Sequence, residues 1–298
     1  MGYDLYITPK QFDFQAMFDW LGWREHYEQG ERQVRYSNED TGVYFSFDFY
    51  DEPAQEEGER RQPYISFNLN YNRPHVFGLE AEPEVAAFLK QFESTIDDPQ
   101  MEGMGQGPYS RDGFLRSWNA GNRFGFQAAG SSSQPPPPWS ADPALIEAIW
   151  KWNYGRAALQ KTAGNQVFVP RITWFLPANA DAPVPAVNWT ERVPTMIPEA
   201  LVSHIALVRQ PRQSLMRMFG LSSSDDRKFE FRLASVKGIA HMAGMDRGDA
   251  HGQPVFYTPL VQSADMNRLF SGAWPRDPAS FIATELVCGA DLVSLMKR

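Results

Sequence analysis

The sequence predicts an α+β fold in two parts, and three patterns support this. Apolar residues alternate with polar ones in several segments of the first 71 residues, which is typical of strands in an antiparallel sheet. Other segments repeat apolar residues at helical spacing, so the N-terminal sheet is predicted to be covered by helices. A Ser/Pro-rich run then interrupts the chain. We therefore expect an N-terminal domain at 1–130, a linker at 131–140 and a second α+β domain at 141–298.

The N-terminal part predicts a sheet of neighbouring strands. Tyr3, Leu5 and Ile7 share one side of a first strand, with Asp4 and Tyr6 on the other. A helix is expected at 12–23 and another at 82–92. The remaining strands are expected at 33–36, 43–51 and 64–71, with a hairpin turn at 39–42. Residues 101–130 are glycine-rich and indicate only short strands.

The C-terminal part opens with a proline at a helical first turn, which favours a helix over 143–163. Strands are expected at 166–176, 201–209, 228–236 and 253–260. The segment 279–296 fits either a helix interrupted near Gly289 or a strand followed by a helix.

The negative charge of the chain belongs to its N-terminal third. The formal net charge is −8, and residues 1–102 contain 21 acidic against 8 basic residues. Such a surface repels phosphate backbones, so direct nucleic-acid binding is disfavoured. The single cysteine excludes an internal disulfide and a thiolate zinc ribbon. With no leader-like N-terminus and no long apolar stretch, we expect no membrane contact and a cytoplasmic location.

The sequence offers no clear catalytic constellation. No Gly-x-Ser-x-Gly motif is present, and Cys288 lies in an apolar segment where a thiol usually acts as a small hydrophobe. We therefore expect a protein without enzymatic activity or cofactor. The alternative is a metal-dependent enzyme, because two histidines and two aspartates within eleven residues could ligate zinc or iron. Those residues are His241, Asp246, Asp249 and His251.

An acidic and aromatic surface is the main positive indication of function. Eight carboxylates fall within twenty-one residues, and two tyrosines lie on the same predicted strand face, a combination that favours protein recognition. An ordinary solvated sheet face is the other interpretation, since charges protect strands from aggregation. The predicted partner-binding residues are Glu39, Asp40, Tyr44, Asp48, Tyr50, Asp51, Glu52, Glu56, Glu57 and Glu59.

Short hydrophobic motifs also carry a family resemblance. The start MGYDLYIT, the segment YSNEDTGVYFSF at 36–47, and WNYGR at 152–156 followed by VFVP at 167–170 resemble bacterial immunity proteins of polymorphic or contact-delivered toxins. The resemblance covers mainly the first 80 residues and about 143–210. It implies a non-enzymatic protein that binds a cognate toxin domain in the producing cell. Where that toxin is a nuclease with a basic cleft, a carboxylate-rich surface would mimic phosphates and steer association.

Overall fold

The protein, described as a computed structural model, forms two compact units. Unit 1 comprises Met1–Ile146 and Glu285–Arg298, and unit 2 comprises Glu147–Thr284. The structure describes residues 2–51, 62–130, 138–189, 194–209, 230–237, 245–250, 252–258 and 277–297. Within them, the mixture of helices and strands with an antiparallel N-terminal sheet confirms the predicted α+β class.

Unit 1 is built on a six-stranded antiparallel sheet. Its strands in chain order are β1 (Gly2–Thr8), β2 (Tyr27–Gln29), β3 (Gln33–Asn38), β4 (Val43–Tyr50), β5 (Tyr64–Asn70) and β6 (Thr95–Asp97). They lie side by side in the order β2-β3-β4-β5-β1-β6. The register pairs Tyr6 with Ser66 and Ser66 with Asp48, so alternate residues of neighbouring strands share one face. The strands predicted near the N-terminus are confirmed.

One face of this sheet forms the core of unit 1. It presents aromatic and aliphatic side chains to the helices α1 (Phe14–Gly22), α2 (Val76–Gln91) and α3 (Arg111–Gly130). The rings of Phe49 and Phe14, Phe47 and Phe88, and Tyr3 and Phe114 lie 5.4, 5.3 and 5.2 Å apart. Because all three contacts start from this one face, the opposite face is left to polar side chains.

Helix α3 corrects the expectation of short strands over 101–130. Its glycines suggested an irregular backbone, whereas in the structure they allow the helix to pack closely against Tyr71 and Asn72. A Cβ on Gly121 would lie 2.1 Å from the Tyr71 hydroxyl, and one on Gly125 would lie 2.4 Å from Asn72 Oδ1. Helix α2 similarly begins at Val76 rather than 82, because its first turns bury Phe77 and Ala81. Pro83 lies inside this helix.

The C-terminal segment belongs to unit 1. Strand β16 (Val287–Gly289) pairs in parallel with β7 (Trp139–Ala141) and leads into the short helix α5 (Ala290–Val293). Single turns of 3-10 helix flank this segment at Thr284–Leu286 and Ser294–Lys297. Cys288, Leu292 and Val293 pack with Phe126 of α3. The Ser/Pro run at 131–137 lies outside the described residues.

Unit 2 contains most of helix α4, a closed barrel and a small sheet. Helix α4 (Pro143–Ala163) confirms the predicted helix. The barrel closes in the order β11-β12-β15-β8-β9, and the small sheet has the order β10-β14-β13. Their bounds are β8 (Ile172–Pro177), β9 (Val184–Trp189), β10 (Met196–Pro198), β11 (His204–Arg209), β12 (Glu230–Ser235), β13 (Asp246–Ala250), β14 (Gln253–Tyr257) and β15 (Asp277–Ile282). None of the helices described here has the length and apolar character needed to cross a membrane.

Candidate partner-binding surface

The polar face of the unit 1 sheet is the candidate functional site, and we call it the open face. It carries the alternate residues of β1, β5, β4 and β3 that lie opposite the buried core residues. At one end of this face, the Tyr44 ring also meets Phe77 of α2 edge-on at 5.6 Å. Serine and asparagine side chains occupy its middle, and tyrosines stand at both ends of β4. The residues of the open face are Asp4, Tyr6, Gln33, Arg35, Ser37, Tyr44, Ser46, Asp48, Tyr50, Tyr64, Ser66, Asn68 and Asn70.

Two carboxylates of the open face are held by neutral donors. Asp48 accepts from Gln33 Nε2 at 2.6 Å and from Ser46 Oγ at 3.0 Å. Asp4 accepts from Asn68 Nδ2 at 2.6 Å. These bonds fix the orientation of both side chains and leave their negative charge in place.

Three tyrosines next to Asp48 form a continuous aromatic row. The rings of Tyr50 and Tyr64 stack at 4.7 Å with an interplanar angle of 10°. The Tyr6 ring meets Tyr64 edge-on at 5.8 Å. Tyr50 is 46% exposed, and its pKa is raised by partial burial and then by the negative charge of Asp48 and the nearby Tyr6 and Asp4. We call Tyr6, Asp48, Tyr50 and Tyr64 the tyrosine patch.

Tyr44 has a different environment at the other end of β4. Its hydroxyl accepts from Arg73 Nη2 at 2.6 Å and Nε at 2.9 Å, and the guanidinium carbons of Arg73 and Arg35 each lie 5.6 Å from its ring. Arg73 Nε also lies 3.7 Å from a carboxylate oxygen of Glu285. Burial and a hydrogen bond with Glu285 raise the pKa of Tyr44, while Arg73 opposes this shift.

The structure does not gather the predicted acidic residues into one cluster. Glu39 and Asp40 lie in the turn between β3 and β4, whereas Asp51 follows the far end of β4. Since β4 has 8 residues, its ends lie roughly 23 Å apart for an extended strand. Asp51 is paired with Arg32. Of the predicted set, Asp48 and Tyr50 remain adjacent on the open face, while Glu52, Glu56, Glu57 and Glu59 lie outside the described residues.

Sequence reasoning missed Tyr6, Tyr64 and Asp4 as members of this surface. The signal was available, because Tyr6 and Asp4 alternate with the apolar residues of β1, and Tyr64 does so in β5. What the sequence lacked was the strand order, which places β5 between β1 and β4. Only that order brings the three tyrosines into contact.

The two described candidate ligands of the alternative metal site do not point toward a common centre. Asp246 and Asp249 both lie in β13, and an odd separation along a strand points them to opposite faces. The Asp249 carboxylate instead accepts from the backbone N–H of Gly252 at 2.7 Å in the β13–β14 turn. His241 and His251 lie outside the described residues. In the described ranges, no three His, Cys, Asp or Glu side chains are grouped as metal ligands would be.

Other conspicuous groups of unit 1 have structural roles. Glu80 of α2 is 1% exposed, and its Oε1 accepts from Tyr36, Asn38 and Thr41 at 2.8, 2.9 and 3.0 Å. Burial raises the pKa of the Cys288 thiol to about 12, so it stays protonated and unreactive at neutral pH.

Comparison of the chain with family models, with curated proteins and with solved structures found no match.

Proposed function

We propose that this protein is a non-enzymatic immunity protein that binds and neutralises a cognate bacterial toxin domain in the cytoplasm of the producing cell. The open face of unit 1 is the proposed contact surface. The single observation that carries the proposal is the tyrosine patch, an ordered row of aromatic rings beside a carboxylate on the polar face of the sheet. The resemblance of the first 80 residues to immunity proteins supports the choice of partner.

Rigid aromatic side chains suit a recognition surface. Tyrosine contributes a large contact area and loses little conformational entropy on binding, so it is enriched among residues that dominate binding energy. Each open-face side chain of the tyrosine patch is already held by a ring contact or a hydrogen bond. Little ordering is therefore needed when a partner docks, which favours affinity.

Negative charge on the same face supports a basic partner. Asp4 and Asp48 are two of the 21 acidic residues of the N-terminal third, which has only 8 basic residues. Such a field accelerates encounter with a positively charged surface and makes the association rate sensitive to salt. A toxin domain with a basic cleft fits this requirement.

Co-expression with the product of the neighbouring gene tests the proposal. We expect that product to arrest growth alone, and this protein to restore growth and co-purify with it. The combined substitution Asp48→Lys and Tyr50→Ala should weaken the complex by about tenfold or more, because it removes the exposed ring at one end of the aromatic row and reverses a charge.

Matched variants separate a local effect from a general one. Tyr154 is 51% exposed on α4, and the Glu25 side chain is 82% exposed, so Tyr154→Ala combined with Glu25→Lys changes the same residue types elsewhere. This control should protect and bind like the wild type. A neighbouring product that is neither toxic nor bound would refute the proposal, and so would full protection by the Asp48/Tyr50 variant.

A further inference from the structure

We infer that the outer edge of β2, together with Trp23, is a docking site for an extended basic segment of another protein, which adds to the unit 1 sheet as an antiparallel strand. The inference goes beyond the proposed function, because it assigns a second surface and does not depend on the open face. Three observations support it: outward-facing backbone groups of β2, an exposed tryptophan beside them, and a carboxylate without a cation on the same strand.

Strand β2 lies at one edge of the unit 1 sheet and pairs with β3 on its inner side. Gly30, just past β2, donates its N–H to the carbonyl of Gln33 at 2.7 Å. Because backbone groups alternate in direction along an antiparallel strand, those of Glu28 also face β3. The N–H and C=O groups of Tyr27 and Gln29 therefore face away from β3, and an added strand would pair with them.

Trp23 lies beside this edge. Its side chain directly follows α1 and is 85% exposed, whereas Trp20 of the same helix packs against aromatic rings. The end of α1 lies on β2, since Gln29 Nε2 donates to the carbonyl of Phe18 at 3.0 Å and the Gln29 side chain leaves no room for a Cβ on Gly22. Tryptophan is enriched among residues that dominate binding energy, so an incoming strand would gain from contact with this ring.

The charge on β2 favours a basic strand over a second copy of this chain. Glu28 is exposed and projects to the side of the sheet opposite Tyr27. Arg35 is its neighbour in the β3 register, but the Arg35 guanidinium carbon lies over the Tyr44 ring at 5.6 Å. Among the described residues, Glu28 has no ion-pair partner. Two copies paired through this edge would place Glu28 against its equivalent, whereas a cationic segment complements it.

The two sides of the edge define the sequence pattern of the docked segment. Residues opposite Tyr27 and Gln29 would exchange hydrogen bonds with them and project toward the helices, on the side of Trp23. The residue opposite Glu28 would project to the other side of the sheet. Apolar side chains suit the first positions and lysine or arginine suits the second. The site therefore selects a segment in which apolar and basic residues alternate.

Two N-methylated forms of one peptide test strand addition on the full-length protein. The parent is a short capped peptide that alternates valine with lysine, and its affinity is measured from amide chemical shifts of the ¹⁵N-labelled protein. We expect the largest shifts at 23 and 27–30. N-methylation of the valines removes the donors that face β2 and should abolish binding. N-methylation of the lysines alters only outward-facing groups and should keep the affinity within about threefold.

Protein variants test the two side chains. Trp23→Ala should weaken peptide binding about tenfold, and Glu28→Lys about fivefold or more. A peptide that alternates valine with glutamate should not bind. Phe124→Ala and Glu102→Lys make comparable changes at exposed residues away from β2, and should leave the affinity within about twofold. The amide spectra report whether each variant is folded.

The inference would be overturned by absence of binding of the parent peptide, by equal affinities of the two N-methylated forms, or by unchanged binding in both Trp23→Ala and Glu28→Lys. None of these results involves the neighbouring gene, so a failure at this edge leaves the proposed function in place. Conversely, if the neighbouring product is neither toxic nor bound while the peptide pattern is observed, strand docking stands and the proposed function is wrong.

Discussion

At the scale of single residues, the environment of each carboxylate determines its role. Glu80, Asp48 and Asp51 look equivalent in the sequence, yet one is buried under three donors, one lies on the open face with neutral donors, and one is paired with arginine. A buried carboxylate is tolerated only when its hydrogen bonds are satisfied. Glu80 therefore stabilises unit 1, whereas Asp48 is a residue to which we assign recognition only in the proposed function.

Substitution of Glu80 should destabilise unit 1 in a graded way. Glu80→Ala leaves the donors of Tyr36, Asn38 and Thr41 without this acceptor, which should cost roughly 3 kcal/mol of unfolding free energy. Glu80→Gln keeps an oxygen for the same donors but loses the charge, for a cost of about 1 kcal/mol. Urea unfolding followed by labelling of Cys288 measures both.

The control for this series is Glu25→Ala, in which an exposed side chain is removed. It should change the unfolding free energy by less than about 0.5 kcal/mol. If Glu80→Ala unfolds at the same urea concentration as Glu25→Ala, the hydrogen-bonded cluster does not stabilise the fold.

At the scale of secondary-structure elements, the sequence predicted the strands that have a clear local periodicity of apolar residues. Alternation in β1, β4 and β5 was sufficient, because each strand buries only one face. Helix α3 was missed because its glycines lower helix propensity, and only tertiary contacts explain them. The tyrosine patch needed the strand order as well. Non-local pairings such as the parallel β9–β11 contact likewise leave no periodic signal.

Glycines in two helices should respond oppositely to the same substitution. In α3, Gly121→Ala places a methyl group against the Tyr71 ring, so we expect destabilisation despite the higher helix propensity of alanine. In α4, a Cβ on Gly155 meets nothing within 4 Å, and Gly155→Ala should stabilise the helix by about 0.5–1 kcal/mol.

Hydrogen exchange of amides within each helix measures both effects locally. Protection of α3 should fall in Gly121→Ala, and protection of α4 should rise in Gly155→Ala. Stabilisation in both variants would show that propensity alone governs these positions and that the close packing of α3 on Tyr71 is unimportant.

At the scale of the whole molecule, the chain leaves unit 1 after Ile146 and returns to it at Glu285. From the sequence, these last residues were assigned to the C-terminal domain, because the Ser/Pro run is the clearest boundary signal in the chain. The returning segment buries Cys288, Leu292 and Val293 against Phe126. The unit that carries the open face is thus completed by residues far from it in sequence.

Leu292→Ala should therefore weaken unit 1 even though it lies near the C-terminus. Leu292 is 7% exposed, and truncating such a leucine costs about 2 kcal/mol or more. Cys288 is the only cysteine, and its raised pKa limits labelling at pH 8 to molecules in which the segment has opened. A 2 kcal/mol loss raises the open fraction, and hence the labelling rate, about 30-fold.

Leu286→Ala provides the matched control within the same segment. Leu286 is 43% exposed, so its truncation removes little buried area and should change Cys288 labelling less than about threefold. Loss of partner binding in Leu292→Ala, but not in Leu286→Ala, would connect the segment to the open face through the stability of unit 1. Of the two leucines, only Leu292 belongs to the buried cluster around Phe126. Equal labelling rates in the two variants would therefore mean that the returning segment does not hold unit 1 together.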